Sequence, residues 1–198
     1  MTGIWLAIVG LALLAVAEAV AILALAREVG VLSKRLPPAP ALESLEGPEP
    51  GTHVPILRLR TLPDGEERAL DAPSGTRRVL LFMSTRCRLC ADLLADLDGV
   101  ARDWPDHQIV PILAGPHREA VEMVSRSGFA GPTWQDDGAA MRAVNIVTTP
   151  RALVVGEDGT VVARGVVNNR EMVSSLIQGR VREGDGALWV EGDTVYPV

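Results

Sequence analysis

The two cysteines of this chain, Cys87 and Cys90, lie three positions apart where an apolar run gives way to a segment with helical spacing. Thiols at this spacing in the first turn of a helix can close a disulfide with little backbone movement, and the helix N-terminus favours a thiolate on the first of them. A structural disulfide would normally join distant segments, and a zinc site would need more ligands. The spacing therefore predicts a pair of thiols that opens and closes.

Composition and motif content narrow the class of protein. The formal net charge of −6 argues against a nucleic-acid partner, because phosphate binding relies on clustered Lys and Arg. With only two cysteines the chain is not a disulfide-stapled scaffold. We expect no cofactor, because no Gly-rich phosphate loop is present. We also expect no metal, because His53, His107 and His117 fall at a predicted strand start, turn and helix start, where solvated histidines are ordinary.

The first part of the chain is apolar from Thr2 to Ala26 except for Glu18. At about 1.5 Å per residue this is roughly 37 Å of helix, enough to cross a hydrocarbon core of about 30 Å. A cleaved signal peptide is the alternative, since residues 24–26 resemble a cleavage site, but the run is long and no Lys or Arg precedes it. We predict one transmembrane anchor with a juxtamembrane helix over residues 1–36, ended by Pro37-Pro38.

Two arguments about the orientation of the anchor disagree. The positive charges Arg27, Lys34 and Arg35 all follow the apolar segment, and the positive-inside rule alone would leave the domain in the cytoplasm. Catalytic disulfide exchange on other proteins belongs mostly outside the cytosol. We expect a single-pass membrane protein whose soluble domain is periplasmic or extracytoplasmic.

The rest of the chain divides into three predicted parts. Residues 37–51 hold five prolines and three glutamates, which predicts a semi-rigid spacer. Residues 52–181 have the pattern of a compact α/β domain, and residues 182–198 form a tail with Gly-rich turns that could add a small hairpin.

Within the α/β domain, parallel strands need crossover helices, whereas antiparallel strands need only a turn. The order of elements therefore predicts a central mixed β-sheet flanked by helices, with an N-terminal β-hairpin and a second hairpin before the last helix. The predicted strands are 53–62, 66–70, 78–83, 108–113, 151–155 and 160–167, and the predicted helices are 87–104, 117–127, 138–144 and 169–181.

The sequence CRLC at a helix start, followed downstream by Thr149-Pro150 just before a strand, resembles the thioredoxin fold. The resemblance implies that Pro150 follows a cis peptide bond beside a redox-active disulfide between Cys87 and Cys90. It also implies that Thr149 offers backbone hydrogen bonds to a substrate strand. Cys87, the more exposed thiol in this geometry, would attack, and Cys90 would resolve the mixed disulfide. The early hairpin is similar to the membrane-tethered, extracytoplasmic branch of this family.

Three neighbouring residues bear on the direction of the redox chemistry. Arg86 and Arg88 flank Cys87 and are candidates for stabilising its thiolate, which would make the disulfide a stronger oxidant. If both guanidinium groups point to solvent, screening leaves them little effect. Leu81 stands where thioredoxin carries a buried acid, and this favours donating or isomerising disulfides over reducing them.

Two longer stretches resemble a more specific family. LAREVGVLSKRLPPAPAL after the apolar segment and ARGVVNNREMVSSLI near the end resemble the MauD family of methylamine utilisation accessory proteins. The resemblance implies a periplasmic, membrane-anchored protein that forms or sorts disulfides in a dehydrogenase small subunit. It implies protein clients with cysteines and a membrane redox partner that resets the disulfide. Arg88 departs from the Cys-Pro-x-Cys motif that this family tends to have.

Two other functions are compatible with the same residues. One is a thiol reductant that serves cytochrome c maturation, which differs from the first hypothesis in redox direction. The other is a tethered client-binding or chaperone-like module whose thiols are incidental. The reduction potential distinguishes disulfide formation from thiol reduction. Replacement of Cys87 tests the chaperone-like module, which would not need this thiol.

Overall fold

The computed structural model describes residues 2–35, 41–42, 45–70, 74–182, 189–191 and 194–196, and the chain divides into two units, Met1–Pro38 and Ala39–Val198. The first unit is a single helix, α1 (Thr2–Arg35). Within the described residues, Gly10–Arg27 is long and apolar enough to cross a membrane, a property that signal sequences share. The predicted helix end at residues 36–38 lies outside the described residues.

The second unit is a mixed sheet with helices on both faces. Its strands are β1 (Ala41–Leu42), β2 (Leu57–Thr61), β3 (Glu67–Leu70), β4 (Arg77–Ser84), β5 (His107–Ala114), β6 (Trp134–Asp136), β7 (Arg151–Val155), β8 (Val161–Val166) and β9 (Val181–Arg182). Its helices are α2 (Arg88–Asp103), α3 (His117–Ser127), α4 (Ala139–Ala143) and α5 (Arg170–Ile177). A separate hairpin joins β10 (Trp189–Glu191) to β11 (Thr194–Tyr196), as predicted for the tail.

The strand order is β3-β2-β6-β5-β4-β7-β8-β1-β9 in the described part of the chain. β4 is parallel to β5 and antiparallel to β7, and β2 and β3 form the predicted N-terminal hairpin. The helices α2 and α3 follow β4 and β5 as crossovers, which the parallel pairing of β4, β5 and β6 requires. The predicted mixed sheet is confirmed.

The centre of the sheet is buried on both faces, and this arrangement fixes where β4 ends. Leu81 and Met83 pack with α2 and α5 on one face, whereas Leu80 and Phe82 pack with β2 and α4 on the other. Successive side chains of a strand point to opposite faces, so an unbroken apolar run is the pattern that two covered faces select. The strand reaches the surface at Ser84, directly before the cysteine pair.

The segment predicted as a spacer, residues 37–51, is packed on the domain wherever the structure describes it. β1 pairs antiparallel with β8 and parallel with β9. The N–H of Gly47 donates to the carbonyl of Asn145 at 3.0 Å, and the N–H of Gly51 donates to that of Val161 at 2.8 Å. The spacer prediction is corrected here, because prolines prevent a helix but leave the backbone groups of the residues between them able to pair.

The last helix of the domain is shorter than predicted. We expected residues 169–181, but α5 ends at Ile177, and Gly179 adopts a positive φ of 70° that turns the chain away. The chain then enters β9, so the sheet includes residues on both sides of the predicted boundary at 181. The apolar residues at helical spacing end at Ile177, so the predicted helix extended four residues beyond the last of them.

We predict that a soluble fragment beginning at residue 39 is more stable than one beginning at residue 52. The longer fragment keeps β1 and the ion pair between Glu46 and Arg151, whose side chain is only 11% exposed. Breaking a largely buried pair costs about 3–5 kcal/mol, so thermal unfolding followed by circular dichroism should show a clearly lower midpoint for the shorter fragment.

The control is the longer fragment with Glu49→Gln, which removes an exposed carboxylate from the same segment. It should unfold like the unmodified longer fragment. Equal midpoints for the two fragments would show that residues 39–51 act as the spacer first predicted.

Candidate functional site

The loop between β4 and α2 holds Cys87 at the start of the helix. Cys87 is the N-cap residue, with an extended backbone, and its Sγ accepts a hydrogen bond from the N–H of Cys90 at 3.3 Å. The N–H of Cys87 in turn donates to the carbonyl of Ser84 at 3.1 Å. The first N–H groups of a helix have no partner within the helix, so a sulfur at this position receives their favourable electrostatic field.

Thr85, which precedes this turn, is held by hydrogen bonds to β5 and α3. The N–H of Thr85 donates to the carbonyl of Ala114 at 3.1 Å, and its hydroxyl donates to the carboxylate of Glu119 at 2.8 Å. Gly115 makes the contact possible, because a Cβ at this position would collide with the Thr85 side chain. The loop that carries Cys87 is therefore held on its strand side by α3 and by the end of β5.

The two cysteines, both present as thiols, have different environments although they are one helical turn apart. Cys87 is half-buried, whereas Cys90 is fully buried against the apolar cluster beneath α2. Burial, together with the hydrogen bond and charge of Cys87, raises the pKa of Cys90 to about 12. The backbone of Ser84 and the side chain of Thr149 oppose part of this rise. Only Cys87 is accessible for attack by or on another molecule.

The predicted Thr149-Pro150 pair lies beside the cysteines. The Thr149–Pro150 peptide bond is cis, as expected, and Pro150 is buried. The side chain of Thr149 acts directly on the Cys90 thiol. No described residue makes a hydrogen bond to the backbone N–H or carbonyl of Thr149. The structure thus brings four of the six predicted site residues together, and within the described residues the backbone of Thr149 next to them has no hydrogen-bond partner.

Sequence reasoning missed a polar cluster that holds this loop. The carboxylate of Glu46 accepts hydrogen bonds from the N–H groups of Val147 and Thr148 and from the Thr148 hydroxyl, at 2.9, 3.0 and 3.1 Å. It also pairs with the Arg151 guanidinium at 2.9 Å. Partial burial on its own raises the pKa of Glu46, but these hydrogen bonds and the Arg151 charge outweigh it and lower the pKa below its ordinary value.

The sequence gives little sign of this cluster, because Glu46 lies far upstream in the Pro-rich segment. An acidic residue among prolines has the composition of a solvated linker. Only the folding of that segment onto β7 and β8 brings the carboxylate to the loop. The weak available signal is Arg151, a charge at the start of a strand that is otherwise apolar.

Arg86 and Arg88 are both exposed on either side of Cys87 in the chain. Within the described residues neither side chain makes an ion pair or a side-chain hydrogen bond, although the backbone N–H of Arg86 bonds to the Ser84 hydroxyl at 3.3 Å. At exposed positions their effect on the Cys87 sulfur is screened by salt. Their role in stabilising the thiolate stays a prediction.

The histidines differ in part from expectation. His53 is exposed, but His107 and His117 are partly buried, and the Nδ1 atom of each is buried without a hydrogen-bond partner in the described structure. Burial, followed by the charge of Arg77, lowers the pKa of His107 and so favours its neutral form. Among the described residues no three His, Cys, Asp or Glu side chains are grouped so that they could hold a metal ion.

A C-x-x-C pair at the start of the helix after the central strand, with a cis-proline loop beside it, defines a thioredoxin-like protein, and the predicted fold class is confirmed. The thioredoxin domain of a thiol-disulfide oxidoreductase from Bacteroides vulgatus superposes with a TM-score of 0.58 at 14% identity, covering 67% of this chain and 98% of that one. A secreted disulfide oxidoreductase from Mycobacterium tuberculosis gives 0.53 at 22% identity, covering 62% and 95%.

The sequence itself is similar to a more specific group. It is 26% identical over 174 residues to the methylamine utilization protein MauD of Methylophilus methylotrophus, which covers 87% of this chain and 81% of that protein. The MauD of Methylorubrum extorquens is also 26% identical, over 179 residues, covering 88% and 82%. No protein-family model matches the chain. The chain is MauD-like over most of its length, and the resemblance predicted from its sequence is confirmed.

We predict that Cys90 makes the stability of the reduced protein fall at high pH. Burial raises its pKa from 9.0 to about 12, so the folded state keeps a proton that the unfolded state loses. The stability that this proton contributes is complete below the unfolded pKa and is lost above it, by up to about 1.4 kcal/mol per pH unit. Urea unfolding of wild type and Cys90→Ala at increasing alkaline pH measures the difference.

Cys87→Ser is the matched control, because it leaves the burial of Cys90, the largest cause of the shift, in place. It should keep the pH dependence that Cys90→Ala loses. A stability difference between wild type and Cys90→Ala that stays constant with pH would contradict the prediction.

Proposed function

We propose that this protein is a thiol-disulfide oxidoreductase that acts on protein clients through Cys87 and Cys90. The observation that carries the proposal is the unequal burial of two thiols that share one helical turn. One sulfur can meet a client, and the other is placed to close onto the first. The names of the thioredoxin-like neighbours support this class of activity.

In the direction of disulfide formation, a client thiolate attacks Sγ of Cys87 in the oxidised protein. The bond between Cys87 and Cys90 breaks, Cys90 leaves as a thiolate, and a client–Cys87 mixed disulfide forms. Because of its raised pKa, Cys90 then takes up a proton. A second client thiolate attacks the client sulfur and releases Cys87. The client dithiol loses two electrons and two protons, and the protein disulfide gains them.

The surroundings of Cys90 favour forming or isomerising disulfides over reducing them. Reduction of a client requires Cys90 to lose its proton before it attacks the mixed disulfide. Leu81, beneath the site, is fully buried and apolar, and no carboxylate is among the main groups that shift the pKa of Cys90. Leu81 therefore cannot supply the base for this step. The alternative function, a thiol reductant for cytochrome c maturation, would transfer electrons in the opposite direction, from the protein to its client.

The open backbone of Thr149 is proposed to bind the client. A client segment in extended conformation could pair with this peptide group and bring its cysteine to Cys87. The likeness to MauD supports the proposal that the client is a subunit of a methylamine dehydrogenase and that a membrane redox partner resets the disulfide. It also supports a periplasmic domain tethered by α1, which is a candidate membrane span.

We predict a reduction potential of about −120 to −180 mV, the range of disulfide oxidants and isomerases. Equilibration of the protein with glutathione buffers, followed by thiol trapping, measures it. A value near or below about −270 mV, that of thioredoxin, would favour the reductant alternative. Failure to form a Cys87–Cys90 disulfide at any poise would contradict the redox mechanism.

We predict that Cys90→Ser accumulates a mixed disulfide between Cys87 and its client, because Cys87 can still attack a client disulfide, as in isomerisation, and Cys90 is no longer present to attack the resulting bond. Non-reducing electrophoresis of cells that express the variant would show the adduct, and thiol treatment should remove it. Cys87→Ser/Cys90→Ser is the control and should give no adduct. If Cys87→Ser instead retains client binding and full function, the chaperone-like alternative is correct.

A further inference from the structure

We propose that Glu46 is a positioning residue for the client-binding loop, which we define as residues 145–149. The inference rests on the proposed function and adds a residue outside the thioredoxin-like site motif. Its carboxylate fixes the loop so that the peptide group of Thr149 faces a client beside Cys87.

The Glu46 carboxylate and the neighbouring Gly47 bind the loop at three positions. The N–H of Gly47 donates to the carbonyl of Asn145 at 3.0 Å. Glu46 then accepts from the N–H groups of Val147 and Thr148 at 2.9 and 3.0 Å. Hydrogen bonds to an ionised acceptor are stronger than neutral ones, and together they restrain a loop that has no helix or strand pairing of its own.

A second layer of contacts holds the carboxylate itself. Arg151 pairs with Glu46 at 2.9 Å, and its Nε donates to the Thr148 hydroxyl at 2.9 Å. The same hydroxyl donates to Glu46 at 3.1 Å, so the three side chains form a closed ring. Arg151 is the first residue of β7 and lies directly after Pro150. The ring therefore ties the loop to the central sheet at the point where the loop meets the site.

The ring uses some backbone groups of the loop for hydrogen bonds and leaves the next one available to a client. The N–H groups of Val147 and Thr148 are used by Glu46 and cannot pair with a client. The backbone of Thr149 is the next along the chain, and no described residue bonds to it. Glu46 itself is not among the main groups that shift the pKa of Cys90. Loss of its carboxylate should thus affect client binding and leave the thiol chemistry intact.

The test compares Glu46→Gln with wild type in the full-length chain in detergent, reduced and well below its unfolding temperature. Each protein reacts with two disulfides: a peptide that contains an internal disulfide, and bis(2-hydroxyethyl) disulfide, which has no peptide backbone. Glu46→Gln should lower the second-order rate constant for the peptide about tenfold, the contribution of one charge-assisted hydrogen bond. Its rate with the small disulfide should not change.

Glu49→Gln is the matched control, because it removes an exposed carboxylate from the same segment, and it should react like wild type with both disulfides. Thr148→Val removes the hydroxyl of the ring at an exposed position and provides a second variant if Glu46→Gln does not fold. It should slow the peptide selectively and by a smaller factor.

Equal slowing of both disulfides, or no slowing of the peptide by either variant, would overturn the role of Glu46 while the proposed function stands. If wild type reacts with the small disulfide and not with the peptide, the proposed function fails and the positioning role fails with it.

Discussion

The covering of β4 on both faces is the constraint on which the site depends. A strand with no solvent-facing side needs helices or strands packed above and below it, and its parallel pairing with β5 needs a crossover helix. That crossover is α2, which must begin where β4 emerges at Ser84. The position of Cys87 just beyond the carboxyl end of a central strand therefore follows from the packing of the core.

The same geometry makes the two thiols chemically different. One turn of helix carries the chain from the half-buried N-cap position of Cys87 to the fully buried position of Cys90. The N–H of Cys90 donates to the Cys87 sulfur, whereas the Cys90 thiol lies in the apolar cluster that raises its pKa. Two thiols of unequal exposure are thus produced by the depth of burial, with no need for different residue types.

The segment that contains β1 and Glu46 both extends the sheet and positions the loop before Pro150. The chain between α1 and the hairpin pairs with β8 and supplies Glu46 to the loop that precedes Pro150. A carboxylate that also pairs with a largely buried arginine is costly to remove, because the guanidinium would lose its compensating charge. The stability of this segment and the shape of the loop therefore depend on the same contacts.

Much of the architecture could be predicted because its signals are local. The apolar run of β4, the amphipathic spacing of α2 and the Gly128 terminus of α3 specified these elements, and α3 was predicted at its observed bounds. The errors fell where local signals end. Helical spacing stops at Ile177 before the predicted end of α5, and proline content does not reveal whether the residues between the prolines pair with a sheet.

For the site itself, the sequence by itself predicted which residues meet, because the C-x-x-C spacing and the Thr149-Pro150 pair are short motifs that each carry a specific backbone geometry. The resemblance to thioredoxin also implied that Cys87 is the more exposed thiol, and the tertiary structure shows the reason, because burial depends on what packs against α2. Only the tertiary structure placed Glu46 on the loop at 145–149, because that contact joins residues about a hundred positions apart. The segment that carries Glu46 is held on the sheet by the pairing of β1 with β8, which no local pattern encodes.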